Sequence, residues 1–180
     1  MSYSNYINDF SAMPLGSYTE PVTLAEAKSY CRVTTNAEDA LIELMISSAR
    51  EAVEVATGLS LIQKQIVVFF NNISGNFPIP FGPINVNTFQ LYDMGQNGME
   101  IDSPDYNLIG GVHPSLGSPR YANMKAIYIA GEDCIPKDLK LAILDQISYD
   151  YENRGLDGDS GICEKSWKAC QRWTRISPIL

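Results

Sequence analysis

The chain has 180 residues, 45% hydrophobic and 19% charged, a globular balance with enough material for one domain and its tails. Its 13 Lys and Arg stand against 21 Asp and Glu, a formal charge of -8. That sign argues against a protein that grips nucleic acid, because phosphate affinity comes from Lys and Arg releasing counterions.

An acidic chain can still surround DNA without adhering to it. Ten Tyr against two Trp add large contact faces with polar tips, suited to surfaces that meet partners. The four cysteines, Cys31, Cys134, Cys163 and Cys170, form no C-x-x-C pair and read as reduced thiols. Met1 to Glu20 has no basic start followed by an apolar run, so no signal peptide is expected. No apolar stretch approaches the roughly 18 residues of a membrane span, so a soluble protein is expected.

Residues 1–20 are polar and aromatic without period and predict an irregular arm. Thr23 to Glu26 is a capping box, the hydroxyl taking the Glu26 N–H while the carboxylate reaches back, and it opens a helix over 23–31. Asn36 is expected to cap a long helix over 37–57, with Glu38 and Asp39 in the first turn where the dipole favours acids. Along it Leu41, Leu44, Met45, Ser48, Ala49, Ala52 and Ala56 recur at helical spacing, and Ile42, Ile46 and Val53 widen the stripe. Gly58 closes the helix as its left-handed residue. A helix apolar over more than half its girth buries two faces.

From Leu61 the pattern changes. The β-branched and aromatic run to Phe70 predicts a strand, Asn71 to Pro83 a loop rich in Pro, Gly and Asn, and Val86 to Tyr92 a second strand. Gly95 to Gly98 is a hairpin turn. Met99 to Ile101 and Tyr106 to Ile109 are short strands, and after a loop Lys125 to Ala130 is the last. Pro136 opens a helix over 136–153 whose face carries Leu139, Ala142, Ile143, Gln146, Ile147 and Tyr151. Residues 156–161 are an acidic, glycine-rich hinge before the C-terminal tail. The fold class expected is α+β, a mainly helical domain over 21–155 with an inserted antiparallel β-meander within 61–130.

Chemistry-bearing motifs are scarce. His113 is the single histidine and sits in a Gly-rich loop, which excludes a two-histidine metal site. Neither Gly110-Gly111 nor Gly155 to Gly158 has the Lys or the strand-to-helix setting of a phosphate loop. Asp157, Asp159 and Glu164 miss the calcium-loop spacing, and Asp102 and Asp105 are ordinary turn formers. No catalytic residue, metal or cofactor is expected. The tail is richer: Trp167, Lys168, Arg172, Trp173 and Arg175 combine two tryptophans with three cations before the apolar Ile176, Pro178, Ile179 and Leu180. Trp and Arg dominate binding hot spots. The segment reads either as a last helix folded on its own core or as a reaching element, and the hinge favours reaching.

Three stretches together resemble one family. The first is Glu20 to Lys28 (E-P-V-T-L-A-E-A-K) with Cys31-Arg32-Val33 and Ala40 to Glu43. The second is Ala49 to Leu59 (A-R-E-A-V-E-V-A-T-G-L). The third is Tyr128 to Gly131, then Ile135-Pro136 and a helix ending Tyr151 to Arg154. In this order, over roughly residues 20–155, they resemble the head–tail connector proteins (adaptor or head-completion proteins) of long-tailed double-stranded-DNA phages.

The resemblance implies a structural virion protein, not an enzyme. Assembled in the host cytoplasm, it would form a ring of roughly twelve copies under the portal protein, extend the DNA channel without specific DNA binding, and meet a tail-side neck protein. It implies that the C-terminal segment, Trp167 to Leu180, binds the portal. Subunit contacts are expected on the long helix, through Ile42, Ile46 and Val53, and on the β-meander. The alternatives are another neck protein (a stopper or tail-completion factor) or a small hydrolase using the acidic loops.

Overall fold

The computed structural model describes residues 7–16, 18–102, 105–131, 135–154 and 161–174. It divides the chain into two compact units, one built mainly on Ile62–Asp133 with the N-terminal strand, the other on Thr19–Leu61 and Cys134–Ile176. Helices and antiparallel strands both contribute, so the α+β class holds.

The first unit is a six-stranded antiparallel sheet: β1 (Ile7–Pro14), β2 (Lys64–Pro78), β3 (Ile84–Asp93), β4 (Met99–Glu100), β5 (Asn107–Ile109) and β6 (Ser115–Ala130). Its path runs β1-β2-β6-β3-β4 with β5 on β6, so the last strand inserts between the second and third and the order is not that of a meander. Ile66 pairs with Tyr128, Val68 with Ala126 and Phe70 with Met124, and all six side chains are buried. The period of two thus puts the β-branched and aromatic residues of alternate positions on one face. Phe77, Ile79, Leu116 and Phe89 complete that core. Tyr128 is fully buried, with its hydroxyl donating to the Pro80 carbonyl at 2.7 Å.

Three expectations fail in this unit. The stretch read as an irregular arm contains β1, held on β2 from Ile7 opposite Phe70 to Pro14 opposite Lys64. The loop read over 71–83 is for the most part the far half of β2, and the loop read before Lys125 holds the start of β6. Asn, Gly and Pro disfavour strands by propensity, but a long partner strand supplies the missing order. The register breaks between Ile73 and Gly75, where Gly75 takes φ +73°, a conformation that only glycine adopts without strain.

The second unit has four helices: α1 (Leu24–Tyr30), α2 (Asp39–Thr57), α3 (Lys137–Glu152) and α4 (Glu164–Cys170). The capping box at Thr23 and Glu26 is present, with Thr23 Oγ1 accepting from Glu26 N–H at 3.2 Å and Glu26 Oε2 from Thr23 N–H at 2.9 Å. Gly58 closes α2 at φ 71°. Asn36 is not its cap: α2 starts at Asp39, and the Asn36 amide oxygen accepts instead from Lys28 Nζ at 2.7 Å.

The core of this unit is lined by Ile42, Ile46, Ala49 and Val53 of α2 and by Leu139, Ala142, Ile143 and Ile147 of α3. Each such aliphatic side chain contributes about 1.5–3 kcal/mol by leaving water. The stripe of α2 that faces its own core is therefore the one read as a mere widening. Ile42, Ile46 and Val53, expected at subunit contacts, have at most 3% of their surface exposed. They are spent on the fold and leave nothing to offer a neighbour.

Within the same helix Arg50 is buried, its guanidinium donating to Glu20 at 2.9 Å and to Glu54 at 2.7 Å. Glu54 uses its other oxygen to accept the Leu61 N–H at 2.8 Å. A buried charge needs this complete set of partners. Among the described residues no helix is long and apolar enough to cross a membrane.

Candidate functional site

The segment that follows residue 160 is the part of the chain whose sequence points most directly to a partner. In the structure, Gly161 to Thr174 lies against α3. The Gln146 side chain reads the backbone on arrival: its oxygen accepts the Cys163 N–H at 2.7 Å, and its nitrogen donates to the Gly161 carbonyl at 3.4 Å. Cys163 then caps α4 in extended conformation, and the Ser166 hydroxyl, fully buried, donates to the Ala142 carbonyl at 2.8 Å. Lys165 and Tyr30 both donate to one oxygen of the buried Asp145. The Asp145 carboxylate holds the Tyr30 hydroxyl protonated to higher pH than usual, and its separate hydrogen bond with Lys165 raises that ammonium.

Farther on, Cys170 is sealed in the core, where burial pushes its thiol up to about 11, helped by Cys163 and Asp138. Trp173 turns back so that its indole N–H donates to Asp138 Oδ2 at 2.9 Å. The described part of the segment is thus a short helix folded on its own unit.

The expected portal-binding residues divide accordingly. Trp167 is 39% exposed; Lys168, paired with Glu164, and Arg172, 4.0 Å from Asp138, also face outward. Trp173 packs half-buried against the helical core. Arg175, Ile176, Pro178, Ile179 and Leu180 lie outside the described residues, as do most of the hinge residues 156–161. What the sequence reading missed is the receiving side. Asp138, Asp145 and Gln146 look like ordinary polar positions of an amphipathic helix, and nothing in their spacing marks them as anchors.

A second surface lies on α2, opposite its buried stripe. Leu41, Leu44 and Val55 are 37%, 65% and 80% exposed, with exposed Ser48 and half-buried Ala52 among them, while Met45 packs against the helical core. Elsewhere His113 sits half-buried in the bend before β6, and no group of three or more His, Cys, Asp or Glu among the described residues is arranged to hold a metal.

Residues 21–91 match the sequence model of a family described as phage gp6-like head-tail connector protein. No curated protein matches the chain. Three solved structures share the fold. A chain from the neck of an empty gene transfer agent particle, computed with C6 symmetry, is 17% identical at a TM-score of 0.70, over 94% of this chain and 97% of that one. One from the virion of a native gene transfer agent particle is 18% identical at 0.71, over 93% and 97%. A third, from the neck of a native particle computed with C12 symmetry, is 16% identical at 0.58, over 91% and 98%.

Proposed function

We propose that this chain, whose residues 21–91 match the model of phage gp6-like head-tail connector proteins, works as one copy of an adaptor ring at the head–tail junction of a virion. The observation that carries this reading is the coincidence of that family match with a fold shared almost end to end with chains of particle necks. Its role is then geometric. The ring bridges the portal protein and a tail-side neck protein, continues the DNA channel, and leaves DNA unbound because its net charge of -8 repels phosphate. No bond of a substrate is made or broken.

The particles whose neck chains share this fold were computed with sixfold and twelvefold symmetry, which supports a ring of twelve copies here. The portal contact is assigned to the end of the chain: Trp167, Lys168 and Arg172 on the outward side of α4, continued by Arg175, Ile176, Pro178, Ile179 and Leu180. Trp173, bonded to Asp138, anchors the described part of the segment on the helical unit.

Removing residues 162–180 would strip Ser166 and Cys170 from the helical core, so loss of binding there would not separate folding from docking. Deleting 175–180 leaves the described anchors intact. This shorter chain should melt like the full one and lose association with the portal oligomer in co-sedimentation. Undiminished association would overturn the assignment of the tail.

A further inference from the structure

Gly161 to Thr174 runs along α3 in the opposite direction, and one face of that helix receives it in order. Gln146 bonds to residues 161 and 163, Asp145 to Lys165, the Ala142 carbonyl to the Ser166 hydroxyl, and Asp138 to the Trp173 indole. The receiving positions follow at steps of four and three residues, the spacing that keeps them on one side of a helix. Each of these contacts is polar, although Ile162, Ala169 and Cys170 pack into the apolar core beside them.

At the head of the row stands Gln146, 3% exposed. Its carboxamide does what a neighbouring strand would do. The oxygen accepts the Cys163 N–H at 2.7 Å and the nitrogen donates to the Gly161 carbonyl at 3.4 Å, both on one edge of the incoming chain. A further bond from that nitrogen, to Asp150 Oδ1 at 2.9 Å, holds the amide in this orientation. A buried carboxamide is costly unless its bonds are made, and this oxygen has its donor only while Cys163 sits opposite it. Sliding the segment by one helical turn, about 5.4 Å, would keep apolar contact but strand Gln146 and the buried Ser166. Apolar packing tolerates such a slip and a buried polar pairing does not, which is how single polar groups fix register between packed helices.

We propose that Gln146 is a positioning residue for docking: it locks the segment in one register on α3 and so presents Trp167, Lys168 and Arg172 at one place. The inference rests on the assignment of those three residues to the portal and adds what holds them ready. A surface ordered before its partner arrives loses less conformational freedom on binding.

Both tryptophans of the chain, Trp167 and Trp173, lie in this segment, so the intrinsic fluorescence of the full chain reads its position without a label. Gln146→Met keeps much of the volume and removes the pairing. It should preserve the helical circular dichroism, open the tryptophans to acrylamide quenching, and weaken association with the portal about tenfold, the scale of re-ordering a few side chains. Ser166→Ala removes the next buried contact and should move both readouts the same way, less far. Ile42→Ala is the control: it lowers the melting temperature through the core, yet below that transition should quench and associate like the wild type. Wild-type quenching in folded Gln146→Met and Ser166→Ala overturns the register role, and so do equal changes in Ile42→Ala. Opened tryptophans with undiminished association overturn the bearing on docking and leave the adaptor reading standing. A wild-type chain that never binds the portal overturns the portal reading and the docking role with it, while the quenching comparison still decides the register.

Discussion

Trp173 donates its indole N–H to Asp138 Oδ2 at 2.9 Å, tying the end of the described chain to the first turn of α3. This one bond fixes the Trp173 side chain on the helical unit. Trp173→Phe keeps the ring in place and removes the donor. It should cost about 1 kcal/mol, the net value of one hydrogen bond to a partly exposed acceptor. Amide exchange should rise in Glu164 to Thr174 and stay unchanged in α2. Equal loosening of both helices would show that the bond holds the whole unit rather than the segment.

The Arg50–Glu54 pair is the most buried ion pair described in the helical unit, both side chains being within 3% of full burial. Arg50→Ala strands the Glu54 carboxylate and should lower unfolding stability by about 3–5 kcal/mol. Adding Glu54→Gln to that variant should restore a large part, because the amide oxygen can still accept the Leu61 N–H and no lone charge remains buried. Urea titrations of the two variants test this. A double variant no more stable than Arg50→Ala would place the cost in lost packing instead.

Acid should loosen the helical unit through Glu26. The Lys140 ammonium, with the Thr23 N–H next, holds its carboxyl at about 2 against an ordinary 4.5. A folded pKa below the unfolded one means the contribution is present above about pH 4.5 and fades as the pH falls toward 2. Glu26→Gln should therefore reduce stability at neutral pH and flatten its dependence across that window. An unchanged slope in the variant would show that other carboxylates carry the acid sensitivity.

The two stripes of α2 should respond differently to truncation. Ile42→Ala opens a cavity in the helical core and should cost about 2–5 kcal/mol. Val55→Ala, on the outer face, should stay within about 0.5 kcal/mol for the isolated chain. Chemical denaturation of the unassembled protein distinguishes them. Similar losses at both positions would mean that the outer face is covered within one copy.

How much of this could be read from the residues follows from which signals are local. The capping box at Thr23 and Glu26 and the Gly58 stop are set by three or four consecutive residues, and both stand as read. The family likeness, carried by short ordered stretches, is met by the match over residues 21–91. The far half of β2 was illegible because its order comes from β6, some forty residues away, and not from Asn71 to Pro78 themselves.

On α2 the difficulty was different. Two apolar stripes share one helical period, so spacing alone does not say whether Ile42 or Leu41 faces the core; packing against Leu139 and Ile143 decides it. For α4 the hinge favoured a reaching segment, yet the described part is folded on its own unit. One of its anchors is a buried serine, a residue type usually exposed, and its partners on α3 include the polar Gln146 and Asp145, so the contact is not announced as one between leucines would be.

The central claim, a ring adaptor, is tested most directly by the native mass of the purified chain, alone and mixed with the portal oligomer of the same genome. The account predicts a portal complex heavier by a ring's worth of copies, close to twelve. A chain that remains a 19.9 kDa monomer and leaves the mass of the portal unchanged would contradict it.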